Sequence, residues 1–230
     1  VLVTSTKALK WHGLVPLHDI GKPNVEALKK GLCNLDAHID NLKHFGPAIV
    51  VSLNHFATDT DEEIEIIRNR CAEKGVRFAV CDGFIKGGEG AIELAKAVMD
   101  AASGDPQPLH YTYEADDDVV TKLEKLAVNV YGAKDIELSA AAKKDLKQIQ
   151  ELGFDRLPVC VAKTPYSLSH EPAWLGAPKG FTLPVQRLIL NAGAGFVVAT
   201  TGAIMRMPGL PKQPAALHID VVDGKIVGLS

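Results

Sequence analysis

The chain has 230 residues, enough for one large or two small domains with a real core. Hydrophobic residues make up 47% and charged residues 23%, an ordinary globular balance that excludes a disordered chain. A formal net charge of −3 gives no electrostatic case for nucleic acid or an anionic membrane, and neither an apolar run of roughly 18 residues nor a signal peptide is present.

Val1–Thr6 reads as a short buried strand. A buried parallel strand has neighbours on both sides, and the chain starts without methionine, so the expectation is the later part of a longer protein. Lys7–Trp11 begins a helix that His12-Gly13 stops, and Leu14–Pro23 is a loop. A long helix follows, with Asn24 as N-cap, Leu28, Leu32, Leu35, Ile39 and Leu42 as its apolar stripe, and Gly46-Pro47 as its end. Ala48–Leu53 is apolar and rich in β-branched residues, as a strand buried on both faces requires. Thr60 and Glu63 match a capping box for a helix that buries Ile64, Ile67 and Cys71. Val76–Cys81 is the next strand, and a helix from Gly88-Glu89 onward is expected to bury Ile92, Ala95, Val98 and Met99. Residues 1–102 thus read β-α-β-α-β-α, a parallel α/β layer.

Ser103–Pro108 is a turn-rich linker that divides the chain into 1–104 and 109–230. Beyond it, Asp116–Tyr131 and Ser139–Leu152 read as helices and Leu157–Ala162 as a strand. Lys163–Pro184 is broken by prolines and glycines, strands follow near Val185–Leu190 and Gly195–Thr200, and Leu217–Gly228 forms a hairpin around Asp223-Gly224. This half reads as a smaller α+β domain. Cys33, Cys71, Cys81 and Cys160 form no C-x-x-C pair and fall in helices or strands, which predicts reduced buried thiols in a cytosolic protein. The eight histidines do not cluster, and His38 and His44 read as helix-surface residues.

In parallel sheets ligands bind beyond the carboxyl ends of the strands. Asn54 stands at such an end, where its amide suits a heterocycle and equally an Asx-turn. Phe56 and Phe84 each lie three residues past the last apolar strand position, Leu53 and Cys81. Rings on neighbouring strand ends are spaced to hold a flat heteroaromatic ligand between them, while two phenylalanines folded back onto the core fit the spacing as well. Gly87-Gly88-Glu89-Gly90 opens a helix, but it is no dinucleotide fingerprint and Glu89 opposes an anion; a tight turn accounts for it. Lys163–His170 gathers hydroxyls, a lysine and a histidine without a nucleophile–base–acid triad, so no catalytic residue is assigned. Glycine, threonine and proline are dense in Asn191–Gly195 and Thr200–Pro211. No G-x-x-x-x-G-K-[ST] phosphate loop or H-E-x-x-H metal spacing occurs.

Several stretches together resemble the C-terminal part of the formate–tetrahydrofolate ligase family: Val1–Gly13, Asn54–Thr60, Lys86–Gly90, Val130–Leu138, Leu157–Thr164 with Ser167–His170, Gly193–Phe196 and Met207–Pro211. The opening departs from the family's usual form, with Lys7 near an arginine position and Leu14 in place of a second glycine. The resemblance implies that the first half is the C-terminal part of a P-loop NTPase-like layer. It implies a ligase that activates formate with ATP to formyl phosphate and transfers the formyl group to tetrahydrofolate. Phosphate contacts would come from an N-terminal P-loop absent from this sequence, with magnesium and a monovalent cation such as potassium. The folate slot maps onto Phe56 and Phe84, the second a tryptophan in most members, with Asn54 beside them. Thr201, Gly202 and Pro208 map to the nucleotide side. The resemblance also implies a cytoplasmic homotetramer. Two other readings are a degenerate module serving assembly and another nucleotide-using α/β ligase half.

Overall fold

Three strands, β1 (Leu2–Thr4), β2 (Val50–Asn54) and β3 (Arg77–Cys81), lie side by side in that order, all parallel. The computed structural model describes residues 1–105, 107–202 and 212–228. β2 is buried from Val50 to Leu53, as a central strand should be. β1 departs from the expected buried strand: Leu2 is half-buried and Val3 exposed, because among the described residues its only partner is β2.

Helix α1 (Thr6–His12) follows β1, and α2 (Val25–His44) and α3 (Asp61–Glu73) flank β2 in the chain. The caps read from the sequence are present. Asn24 Oδ1 accepts the Ala27 amide at 3.0 Å, and Thr60 with Glu63 forms a reciprocal capping box. Leu9, Leu28, Leu35, Ile39, Val51, Leu53, Ile67 and Cys71 form the first core. Within it α1 lies directly on α2, and a Cβ built at Gly31 would stand 1.8 Å from the Leu9 carbonyl oxygen. Gly31→Ala is therefore expected to destabilise by about 1–3 kcal/mol, the cost of forcing extra volume into a packed interface. Calorimetry would show this as a lowered Tm; an unchanged Tm would mean the two helices separate freely.

After β3 the chain makes a short helix, α4 (Gly83–Lys86), then a 3-10 turn over Gly87–Ala91, then α5 (Ile92–Ala102). The glycine run is thus a turn and not the start of the helix. Gly87 takes φ +59, and the close approach of Gly90 to the Asp82 backbone leaves no room for a Cβ. The expected burial of α5 also fails: Ile92, Ala95 and Met99 are exposed, Val98 is half-buried, and no α5 residue is fully buried. A helical period shows which residues share a face, but not whether anything covers it. The thiol expectation fails likewise, since only Cys71 is buried while Cys81 is intermediate and Cys33 and Cys160 are exposed, although all four are free.

The later residues build a second core. Its elements are α6 (Val119–Asn129), β4 (Asp135–Leu138), α7 (Ala140–Glu151), β5 (Val159–Ala162), β6 (Thr182–Val185), β7 (Arg187–Asn191) and β8 (Phe196–Thr200). β4 pairs in parallel with β6, and a second sheet runs β5-β8-β7, with β5–β8 parallel and β7–β8 antiparallel. Val119, Leu123, Ala142, Ile149, Val185, Leu188, Val197 and Ala199 fill the space against them. β4 and β6 escape the sequence reading because Asp135-Ile-Glu-Leu138 is half charged and Pro184 interrupts the other; a proline is tolerated at a sheet edge. Strands β9 (Asp220–Val222) and β10 (Lys225–Val227) form the expected hairpin, with Asp223 and Gly224 both at positive φ. The protein is thus a mixed α/β structure with parallel sheets.

Contacts join the two cores. Asn34 Nδ2 donates to the Gly176 carbonyl at 2.8 Å, the Gly176 amide donates to His12 Nδ1 at 3.0 Å, and Asn41 Nδ2 donates to the Val130 carbonyl at 2.8 Å. Trp11 packs edge-on to Tyr166 at 5.6 Å between ring centroids.

Candidate functional site

The parallel register sets Asn54 directly opposite Cys81, so the turns after β2 and β3 leave from adjacent strand ends. Adjacent strands lie about 4.8 Å apart. Asn54 is exposed at its strand end, and Phe56 is half-buried in the first turn. The Phe56 turn is tied down: Asp59 Oδ2 accepts the Phe56 amide at 2.9 Å, and the Thr6 hydroxyl donates to Asp59 Oδ1. Lys7 reaches over the ring, its Nζ 4.0 Å from the centroid, a cation–π contact that leaves the ring beside a positive charge. Phe84, in the second turn, is 86% exposed and is not folded back onto the core.

The two turns are joined by an ion-paired cluster. The His55 backbone amide donates to the Cys81 carbonyl at 3.2 Å, stitching one turn to the other strand. His55 Nδ1 donates to Asp82 Oδ1 at 2.5 Å, and Lys86 Nζ pairs with Asp82 Oδ2 at 2.8 Å. The Lys86 and His55 hydrogen bonds hold the Asp82 carboxyl below its ordinary pKa. An ionised Asp82 can only accept, so the hydrogen of this contact sits on His55 Nδ1.

Beneath this rim, Lys10 and Glu63 form an ion pair at 3.1 Å with both side chains fully buried. Lys10 Nζ also donates to the Lys22 carbonyl at 2.9 Å, and Glu63 accepts the Asn24 amide at 2.9 Å as well as the Thr60 amide. Burial works to raise the Glu63 pKa, but these donors outweigh it and the net shift is downward. The pair fastens α1, α2 and α3 together below the strand ends. Sequence reasoning assigned Glu63 only to its capping box, noted Lys7 only as a departure from the family's opening, and passed over Lys10, His55 and Asp82. No local pattern signals them, because each partner lies far along the chain.

The second group of candidates is elsewhere. Thr201 is buried at the end of β8, and its amide donates to the Ala162 carbonyl at 3.0 Å. Gly202 beside it is exposed, and Pro208 lies outside the described residues. His38 is not a surface residue as expected: it is half-buried against the Lys163–Leu168 loop, and burial, then the nearby Lys163 charge, lowers its pKa. Among the described residues no group of three or more His, Cys, Asp or Glu side chains could hold a metal ion. No helix among the described residues is long and apolar enough to cross a membrane.

The sequence model of the formate–tetrahydrofolate ligase family matches residues 1–230, the whole chain. The chain belongs to the formate–tetrahydrofolate ligase family. It is 51% identical to the formate–tetrahydrofolate ligase of Phocaeicola vulgatus over 231 aligned residues, covering 100% of this chain and 42% of that protein. It is 52% identical to that of Thermotoga maritima and 50% identical to that of Porphyromonas gingivalis, with the same coverage. The chain thus spans less than half the length of these relatives. Membership makes this a chain of a ligase enzyme family and accounts for the resemblance seen along its whole length.

Proposed function

We propose that this chain supplies the folate slot, and part of the nucleotide side, of an ATP-dependent ligase that formylates tetrahydrofolate with formate through formyl phosphate. The observation that carries the reading is the pairing of Asn54 with Cys81, which brings the Phe56 and Phe84 turns out at neighbouring strand ends. A pterin ring between Phe56 and the exposed Phe84 would stack on both faces, with Asn54 offering amide hydrogen bonds at the edge. The Lys7 charge over Phe56 favours the anionic part of a folate. In the second half, Thr201, Gly202 and Pro208 belong to the nucleotide side. The two halves, 1–104 and 109–230, act as separate domains, each with its own core. A cytoplasmic homotetramer belongs to the same reading. ATP and magnesium, bound mainly by an N-terminal part outside this sequence, and a monovalent cation such as potassium belong to the same reading.

The 230 residues contain no phosphate loop. The isolated chain is therefore expected to bind tetrahydrofolate, measured by calorimetric titration, yet to show no ATP-dependent formylation. Formylation by the chain alone would overturn the assignment of phosphate chemistry to another segment. Binding of ATP without folate would favour a different nucleotide-using ligase half, and binding of neither would favour a module serving assembly.

A further inference from the structure

A small cavity of about 80 Å³ lies where the two cores meet, far from the Phe56 and Phe84 turns in the sequence. His12 lines it from α1, Asn34 and His38 from α2, and Lys163, Tyr166 and Ser167 from the loop after β5. Two histidines and a lysine therefore share one space, and no Asp or Glu is among its lining residues. We propose that this cavity binds one small oxyanion, a carboxylate or a tetrahedral sulfate- or phosphate-type group, either free or carried on a larger ligand.

The hydrogen bonds already made leave donors for it. His12 Nδ1 accepts the Gly176 amide, so the ring proton sits on Nε2. Lys163 Nζ donates to the carbonyls of Thr164, at 3.0 Å, and Ser167, two of the three hydrogens an ammonium carries. The Tyr131 ring lies 5.3 Å from the same ammonium and places an aromatic face there instead of a counter-charge. Volume suits one compact group, since a water molecule's share of the liquid is about 30 Å³. The empty cavity is electrostatically unfavourable for charge: burial and then His38 lower the His12 pKa to about 4, and burial lowers that of Lys163. An anion reverses this at His38 and Lys163 by stabilising their protonated forms, so binding takes up protons and strengthens as pH falls, while His12 keeps its bond from the Gly176 amide and donates through Nε2. Titratable groups perturbed by burial and gathered around one cavity are candidates for a functional site. Because its ligands come from α1, α2 and the later loop, an occupied site would also pin the two cores to each other.

The test uses sulfate, whose charge is constant through this pH range, against chloride at matched ionic strength. The whole chain, labelled at histidine, is titrated by NMR at about pH 7.5 and about pH 5.5. The expected result is a saturable one-site shift of the His12 and His38 resonances, a raised pKa for His38, and tighter binding at the lower pH. Lys163→Met should weaken binding about ten-fold or more, and His38→Asn, which keeps a donor, should flatten the pH dependence. A parallel acetate titration separates a carboxylate site from one that takes tetrahedral anions. Shifts that chloride reproduces, or that never saturate with either anion, would overturn the proposal in the unmutated chain. Neither outcome depends on folate binding.

Discussion

Replacing Lys10 by methionine is expected to lower the folding free energy by about 3–5 kcal/mol, the usual cost of leaving one partner of a buried ion pair alone. Lys10 and Glu63 are both fully buried, and Lys10 is the only cationic group the carboxylate touches among the described residues. Methionine fills much of the same volume, so the loss would come from the stranded charge and not from a cavity. The pair also imposes a pH signature. The Glu63 pKa is lowered on folding, so its contribution is present at neutral pH and is lost as pH falls below the ordinary glutamate value of about 4.3. In Lys10→Met the burial that raises the pKa is less opposed, so Glu63 is depressed less on folding and its part of the acid loss should shrink. Urea unfolding across acid pH measures both effects. A variant as stable as the parent, with an unmoved acid limb, would show that water reaches the pair.

Phe56→Ala is expected to weaken tetrahydrofolate binding by about 1–3 kcal/mol, roughly 5- to 150-fold in Kd, from lost stacking and lost apolar burial. The backbone of the turn that carries the ring is fixed by the Thr6–Asp59–Phe56 chain of hydrogen bonds, so a ligand would meet a turn already in position. Because Phe56 is half-buried, part of any loss could arise from the fold; Phe84 separates the two causes. At 86% exposure Phe84 contributes little to packing, so Phe84→Ala should leave Tm unchanged and still weaken folate binding. Calorimetric titration of both variants would test this. Equal folate affinity in the parent and both variants would remove the slot from these turns.

The sequence alone was sufficient for the elements whose signals are local. The Asn24 cap, the Thr60–Glu63 capping box and the Asp223-Gly224 turn each rest on a few consecutive residues, and each is present. The run from Val50 to Leu53 announced a central strand because burial on both faces demands apolar residues at every position. The family, too, was legible, since short motifs spread along the chain matched it and the whole chain does.

What the sequence alone could not supply is anything set by residues distant in the chain. That Asn54 stands opposite Cys81 follows from a parallel register, and a period of two along each strand says nothing about its neighbour. Lys10 and Glu63 lie 53 positions apart, as do Thr6 and Asp59. Only the packing of α1 against α2 and α3 makes Lys10, which has no role in the sequence reading, half of a buried ion pair. The exposed face of α5 and the half-buried His38 make the same point from opposite sides. Periodicity sorts side chains onto faces, but tertiary structure decides which faces are covered, because burial depends on what else occupies the space.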